Sequence, residues 1–387
     1  MDSDVRRLRA TKHFPALDGL RGLAILLVLA SHTFSGLQGA LWLYQDTTGM
    51  QHSFNLPRWL DVIAYNGYHG VTLFFVVSAF TLTRQLVGRD SADLSGYLLR
   101  RVFRIGPGFW VACTVYALWL GFGPRQGAPA GFHALDLLSC FTFTGWLVSN
   151  SAVNFVPGGW SVQAEIAFYV LLPLVVWISQ AKAWRAGFLA IMTVAVVQLL
   201  ARQQMAQQTW NYDVYTTVAY QLPVFMIGAT VAYLVPGRYY FDRLISFAPI
   251  ITLSLLALAI IGVPFSPLHD WHCLGHVQFA ALVGLATLLA AWHPPRLLCS
   301  AFLTQIGTVS YSMYLIHFAL MWPVYNIVTL LFPMTGILTF TLYFAGLTAT
   351  SYGFAKYSYR WIEQPPRRWI AARLRAPQHT LQQPIMP

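Results

Sequence analysis

Charge is what this chain has least of. Asp, Glu, Lys and Arg make up 10% of 387 residues and hydrophobic side chains 57%, too little polar surface to cover a domain of this size in water. An ordinary soluble protein is excluded, and an all-α polytopic membrane protein is expected. Acidic groups are scarcest, 13 against 24 Lys and Arg. There are four cysteines, Cys113, Cys140, Cys273 and Cys299. Cys140 and Cys273 are both expected on the far side of the membrane, where an oxidising compartment would let them pair; spacing does not decide it. No internal repeat of the transporter kind and no low-complexity linker is visible. A charged N-terminus runs into a long apolar stretch with no small-residue cleavage pattern, so no cleavable signal peptide is expected.

What is present in quantity is apolar length. Spans are expected near residues 17–37, 65–84, 106–123, 160–180, 186–201, 214–236, 244–264, 274–292, 306–331 and 336–358. Ten crossings put both termini on one side. A further apolar piece, 135–149, is too short to cross and reads as re-entrant or interfacial. The cations test this arrangement, because Lys and Arg collect in cytoplasmic loops. All but Arg58, Arg125 and Arg202 fall on the side of the termini, which is therefore the cytoplasmic one. The net charge of +11 is a topology signal and implies no nucleic-acid partner. One transmembrane domain over residues 1–376 is expected, with a disordered tail at 377–387 and no soluble domain after the tenth helix.

The stretch from Phe14 to His32 carries the chemistry. Asp18 and Arg21 stand at the mouth of the first span, and His32 is the lone titratable group deep in it. The 11 positions from Arg21 to His32 complete about three turns, so both side chains share one face, roughly 16 Å apart along the axis. An ionisable group in hydrocarbon is costly, which points to function on this face; the alternative is a histidine hydrogen-bonded to a neighbouring helix. Glu165, a turn inside the fourth span after Trp160, is the one glutamate within the membrane and is expected at the depth of His32, where a carboxylate can orient an imidazole. Equal depth does not establish adjacency.

Other candidates are spread along the chain. Arg100, Arg101 and Arg104 at the start of the third span suit bidentate phosphate contacts, or else orient the helix and meet anionic headgroups. His69 stands at the far mouth of the second span, and Ser78 deeper in it is expected to bond a carbonyl of its own helix. His272 and His276, four apart, would chelate a metal only if helical; a solvated loop is the expected reading, and no metal is expected. Tyr311 and His317 lie in the ninth span, with His317 at a depth similar to His32. Glu363 and Arg367 close the last helix, which Pro365 should stop. The aromatic stretches Leu41 to Trp59 and Phe141 to Trp160 either stack on sugar faces or anchor the chain at the interface.

Taken together, these motifs resemble those of the acyltransferase 3 family, integral-membrane enzymes that O-acetylate bacterial surface polysaccharides and related acceptors. The resemblance runs over nearly the whole chain. It is carried by LDGLRGLAILLVLASH with Arg21 and His32, by Arg101-x-x-Arg104, by GVTLFFVVSAF with Ala79 where a glycine is usual, by WSVQAEIAFYVLLP, by SYSMYLIH, and by Glu363-x-Pro365-x-Arg367. Ile166 replaces the second of a usual glutamate pair, leaving Glu165 alone. The resemblance implies acetyl-coenzyme A as a donor used from the cytoplasm, no tightly bound cofactor, and a carbohydrate or glycolipid acceptor met at the periplasmic face of a bacterial inner membrane. It also implies that Arg21, Arg101 and Arg104 hold the anionic end of the donor. His32 would deprotonate the acceptor hydroxyl or carry the acetyl group, with Glu165 orienting it. A transporter or flippase of a glycan intermediate, a lipid-binding scaffold, and another donor such as succinyl-coenzyme A are the competing readings.

Overall fold

A computed structural model describes residues 14–38, 56–87, 94–124, 128–148, 153–180, 182–204, 212–234, 247–266, 274–332 and 336–374. Helices dominate, and there is no β-strand among the described residues. In chain order they are α1 (Pro15–Leu37), α2 (Arg58–Tyr65), α3 (His69–Leu86), α4 (Leu94–Leu120), α5 (Ala134–Phe141), α6 (Gly159–Ser179), α7 (Ala183–Gln204), α8 (Val218–Tyr233), α9 (Ala248–Ala257), α10 (Leu274–Trp292), α11 (Ala301–Thr308), α12 (Ser310–Leu331), α13 (Ile337–Ser358) and α14 (Gln364–Arg373). Each of the ten expected spans overlaps a helix, but α4 begins well before residue 106, α8 is shorter than 214–236, the span at 306–331 takes in the end of α11 as well as α12, and α9 continues through a π-turn to Phe265.

Among the described residues, eight helical stretches are long and apolar enough to cross a membrane. The exceptions are α8, with 16 residues, and α13, with 22 residues but many threonines and tyrosines. The chain is a multi-pass membrane protein on this ground, while ten crossings with both termini on one side stay an expectation. The piece at 135–149 forms α5, eight residues opened by the Asp136 carboxylate accepting from the His133 amide at 2.7 Å, and a short turn at Gly145–Val148. Pro107, Pro173, Pro223 and Pro323 lie inside helices, as neighbouring helices permit in a membrane bundle. Pro365 does not stop the last helix. The turn at Tyr359–Glu363 widens to a π-turn and Pro365 falls in the first turn of α14, where a missing N–H costs nothing.

Helix α1 is the centre of the bundle. It packs against α2, α3, α11, α12 and α13, and its core face, from Leu17 through Ile25 to Leu29, is almost fully enclosed. Its contact with α11 is backbone against backbone. A Cβ at Gly19 would strike the Leu298 carbonyl, one at Gly22 the Leu303 carbonyl, and one at Gly307 the Asp18 carbonyl. Small residues allow this approach, and it holds the start of α1 in one place.

Candidate functional site

A cavity opens between α1, α3, α4, α6 and α12. Arg21, Arg104, Glu165, Ser161 and Tyr314 line it. Arg21 reaches Thr81, Glu165 bonds Ser78 a turn earlier on α3, and Ser161, a turn of α6 from Glu165, bonds Tyr314, so the order runs from the arginines past Glu165 to the two hydroxyls. Arg21 is committed on one side. Its Nη1 is 2.8 Å from the Asp18 carboxylate, an ion pair across the first turn of α1, and its Nη2 donates to the Thr81 hydroxyl at 3.3 Å. Arg104 has no ion pair among the described residues, so its guanidinium is the cation of the cavity with donors to spare.

Arg101 is placed differently from its neighbour in the motif. It is buried beside the cavity and not in its wall, with Nη2 donating to Gln85 at 3.1 Å and the guanidinium 5.9 Å from the Tyr97 ring centroid. Its Nε and Nη1 find no hydrogen-bond partner among the described residues.

Ser78 and Tyr169 both donate to Glu165 Oε1, the tyrosine at 2.6 Å. Ser78 therefore departs from expectation: its hydroxyl crosses from α3 to α6, and it is Thr81 that bonds its own helix, at the Val77 carbonyl. Nor do the hydrogen bonds of Glu165 reach His32. Glu165 lies one turn along α6 from Ser161, and Ser161 bonds the Tyr314 hydroxyl at 2.9 Å. Tyr314 in turn packs against His317, ring centroids 5.6 Å apart. The packing of His32 thus leads through His317 to Tyr314 and Ser161, and Glu165 lies a turn of α6 away from them, bonded to Ser78. Counting residues from the ends of helices blurs depth by about this one turn.

The neighbour of His32 is His317, with ring centroids 5.1 Å apart, and Phe318 lies 4.7 Å from His32. Trp160 is buried edge-on to Phe75 and Tyr215, a packing contact behind the cavity. Tyr311 lines the cavity and donates to the Ile105 carbonyl at 2.8 Å, tying α12 to α4. Glu363 is buried at the base of α12, where Ser312 donates to it. Burial raises its carboxyl above the usual range, opposed by the Ser312 hydrogen bond and by Arg367 and Arg104. The Arg367 guanidinium lies 6.0 Å from the Tyr359 ring centroid.

A second polar cluster surrounds His69, which is buried and stacked 4.5 Å from Phe279. Beside it His276 is no loop residue but a buried position on α10, 2.9 Å from Gln221 Oε1 and 3.2 Å from the Thr72 hydroxyl. His272 and Cys273 lie outside the described residues, as does most of the stretch from Leu41 to Trp59. No group of three metal-ligating side chains occurs among the described residues. Cys140 is buried, and its sulfur accepts from Gln163 Nε2 at 3.6 Å. Ser161, Tyr314 and Tyr169 were not singled out by sequence reasoning. Hydroxyls are common in apolar helices, and only a shared cavity separates these from the rest.

The family described as "Acyltransferase domain" matches residues 14–356. A peptidoglycan O-acetyltransferase OatA of Listeria monocytogenes is 24% identical over 402 residues, covering 92% of this chain and 56% of that protein. An O-acetyltransferase OatA of Staphylococcus aureus is 24% identical over 391 residues, covering 94% of this chain and 59% of that protein. The chain thus spans little more than half the length of these relatives. No solved structure matches it.

Proposed function

The chain belongs to the acyltransferase 3 family, and from that membership we propose that it is a membrane O-acetyltransferase. It takes an acetyl group from cytoplasmic acetyl-coenzyme A and delivers it to a sugar hydroxyl of a cell-surface or exported glycoconjugate, in a bacterial inner membrane, with the acceptor met at the periplasmic side. The relatives named as O-acetyltransferases support the reaction class.

The observation that carries the reading is the polarity of the cavity, cationic at Arg21 and Arg104 and hydroxyl-lined at Ser161 and Tyr314. A coenzyme A thioester has the matching order: phosphates, then an uncharged arm, then the reactive carbonyl. Arg104, with Arg21 held by Asp18 beside it, grips phosphate oxygens, and the buried donors of Arg101 add to the positive field. The roughly 16 Å from Arg21 to His32 is comparable with an extended pantetheine arm. Glu165 lies along that route, where its carboxylate accepts from Ser78 and Tyr169 and balances the arginines. His32 is not in the cavity wall but packs on His317, which in turn packs on Tyr314; from there it meets the thioester and either deprotonates the acceptor hydroxyl or carries the acetyl group briefly.

The test is release of free coenzyme A from acetyl-coenzyme A by purified protein in nanodiscs, wild type beside His32→Ala. Turnover that the substitution abolishes, in protein that still folds and binds the donor, is the expected result. Unchanged turnover in His32→Ala overturns the assignment.

A further inference from the structure

His317 is a buried titratable group that the reaction above leaves without a task, and it lies beside His32. It is fully enclosed on α12. Its Nδ1 lies 2.7 Å from the Tyr314 carbonyl oxygen and 3.3 Å from that of Met313. A carbonyl only accepts, so Nδ1 carries the ring hydrogen and Nε2 is the bare nitrogen. That Nε2 is buried and has no hydrogen-bond partner among the described residues. A lone pair left unsatisfied inside a helix bundle is costly, and such a site calls for a donor.

The donor at hand is His32. The two rings are 5.1 Å apart and tilted by 35°, a separation from which a small side-chain rotation brings an N–H of one to a lone pair of the other. Phe318 packs against both rings, 4.7 Å from His32 and 4.1 Å from His317, and limits any other movement. Tyr314 joins the pair to the cavity, since its ring packs on His317 while its side chain lines the cavity wall. The carboxylate expected to orient His32 has its hydrogen bonds elsewhere, with Ser78 and Tyr169.

We infer that His317 is the positioning base of a His32–His317 pair: its Nε2 accepts the N–H of His32, fixes the tautomer of that ring and receives its proton during transfer. This rests on the acetyl-transfer reading above. The acceptor hydroxyl gives its proton to one ring nitrogen of His32 while His32 passes the hydrogen on its other nitrogen to His317 Nε2. The hydroxyl oxygen forms the new C–O bond to the acetyl carbon, the C–S bond breaks, and the electron pair leaves on the thiolate of coenzyme A. The thiolate then recovers the proton back through the pair, so both imidazoles end neutral and the products are an acetyl ester and a free thiol. Two neutral rings bring no net charge into the membrane before the reaction, which a carboxylate in the same role would do.

The experiment uses inverted membrane vesicles from the native host lacking its own copy and supplied with wild type, His32→Ala, His317→Ala or His317→Phe, so that the natural acceptor is present. Transfer of label from [14C]acetyl-coenzyme A to membrane glycan is followed over a range of donor concentrations. Both His317 variants are expected to lower kcat by about a hundredfold or more, the scale of general-base catalysis, with the donor KM unchanged. Added imidazole is expected to restore His317→Ala but not His317→Phe, whose ring fills the site. Near-normal kcat in His317→Phe, or a loss in His317→Ala that imidazole does not repair, overturns the pair and leaves His317 a packing residue. If His317→Ala does not reach the membrane, His317→Phe decides alone. Normal transfer by His32→Ala, or none by wild type, overturns the acetyl-transfer reading itself and is distinct from a failure confined to His317.

Discussion

Two arginines face one cavity, yet their surroundings give them different work. Arg21 is held by Asp18 and Thr81 and so has fewer donors left for a ligand. Arg104 lines the same space with no ion pair among the described residues, and its fork is the one a phosphate would engage. A charge-assisted hydrogen bond of this kind contributes about 1.5–3 kcal/mol. Arg104→Ala is therefore expected to raise the donor KM about ten- to a hundredfold, measured from initial rates against acetyl-coenzyme A, with Arg104→Lys recovering only part because a point charge replaces a fork. This contrast was not legible in the sequence. Arg101 and Arg104 are three residues apart on one helix, and nothing in the motif says that one faces the cavity while the other turns toward Gln85 and Tyr97.

At the scale of the element, the backbone contact between α1 and α11 holds the cationic end of the site together. Gly307 meets the carbonyl of Asp18, the residue paired with Arg21. A side chain there must push α11 away from α1, and overpacking of this sort costs about 1–3 kcal/mol or more. Gly307→Val is expected to lower the thermal midpoint in detergent and to weaken donor binding together, because Asp18 and Arg21 move with the helix start. Gly353→Ala on α13 is the contrast. A Cβ there meets nothing within 4 Å, so the higher helix propensity of alanine predicts equal or slightly greater stability. Both residues are glycines in apolar helices, and the sequence offers no way to rank them.

For the whole molecule, the lopsided distribution of cations predicts that both ends of the bundle lie on one side of the membrane. Cysteines introduced at Phe14 and at Leu374, in a variant lacking Cys273 and Cys299, should react with a membrane-impermeant maleimide from the same side. Cys113 and Cys140 are buried and should stay silent. Labelling from opposite faces would mean an odd number of crossings, with α8 or α13 the helix to re-examine, since these two fall short of the other spans in length or apolarity.

Composition and periodicity by themselves determined that the chain is a bundle of apolar helices, where those helices lie, and that Arg21 and His32 share one face of the first. These depend on local quantities: transfer free energy summed over about twenty residues, and the fixed rise and twist of a helix. What only the tertiary structure decided is which helices meet. It placed Glu165 with Ser78 and Tyr169, and it gave His32 the ring of His317 as neighbour. It also buried His276 against Gln221 and set Arg104 but not Arg101 in the cavity wall. Side-chain hydrogen bonds reach about 3 Å, whereas depth read from residue numbers is uncertain by a helical turn. Partnership across helices is therefore a property of packing, and only the folded bundle resolves it.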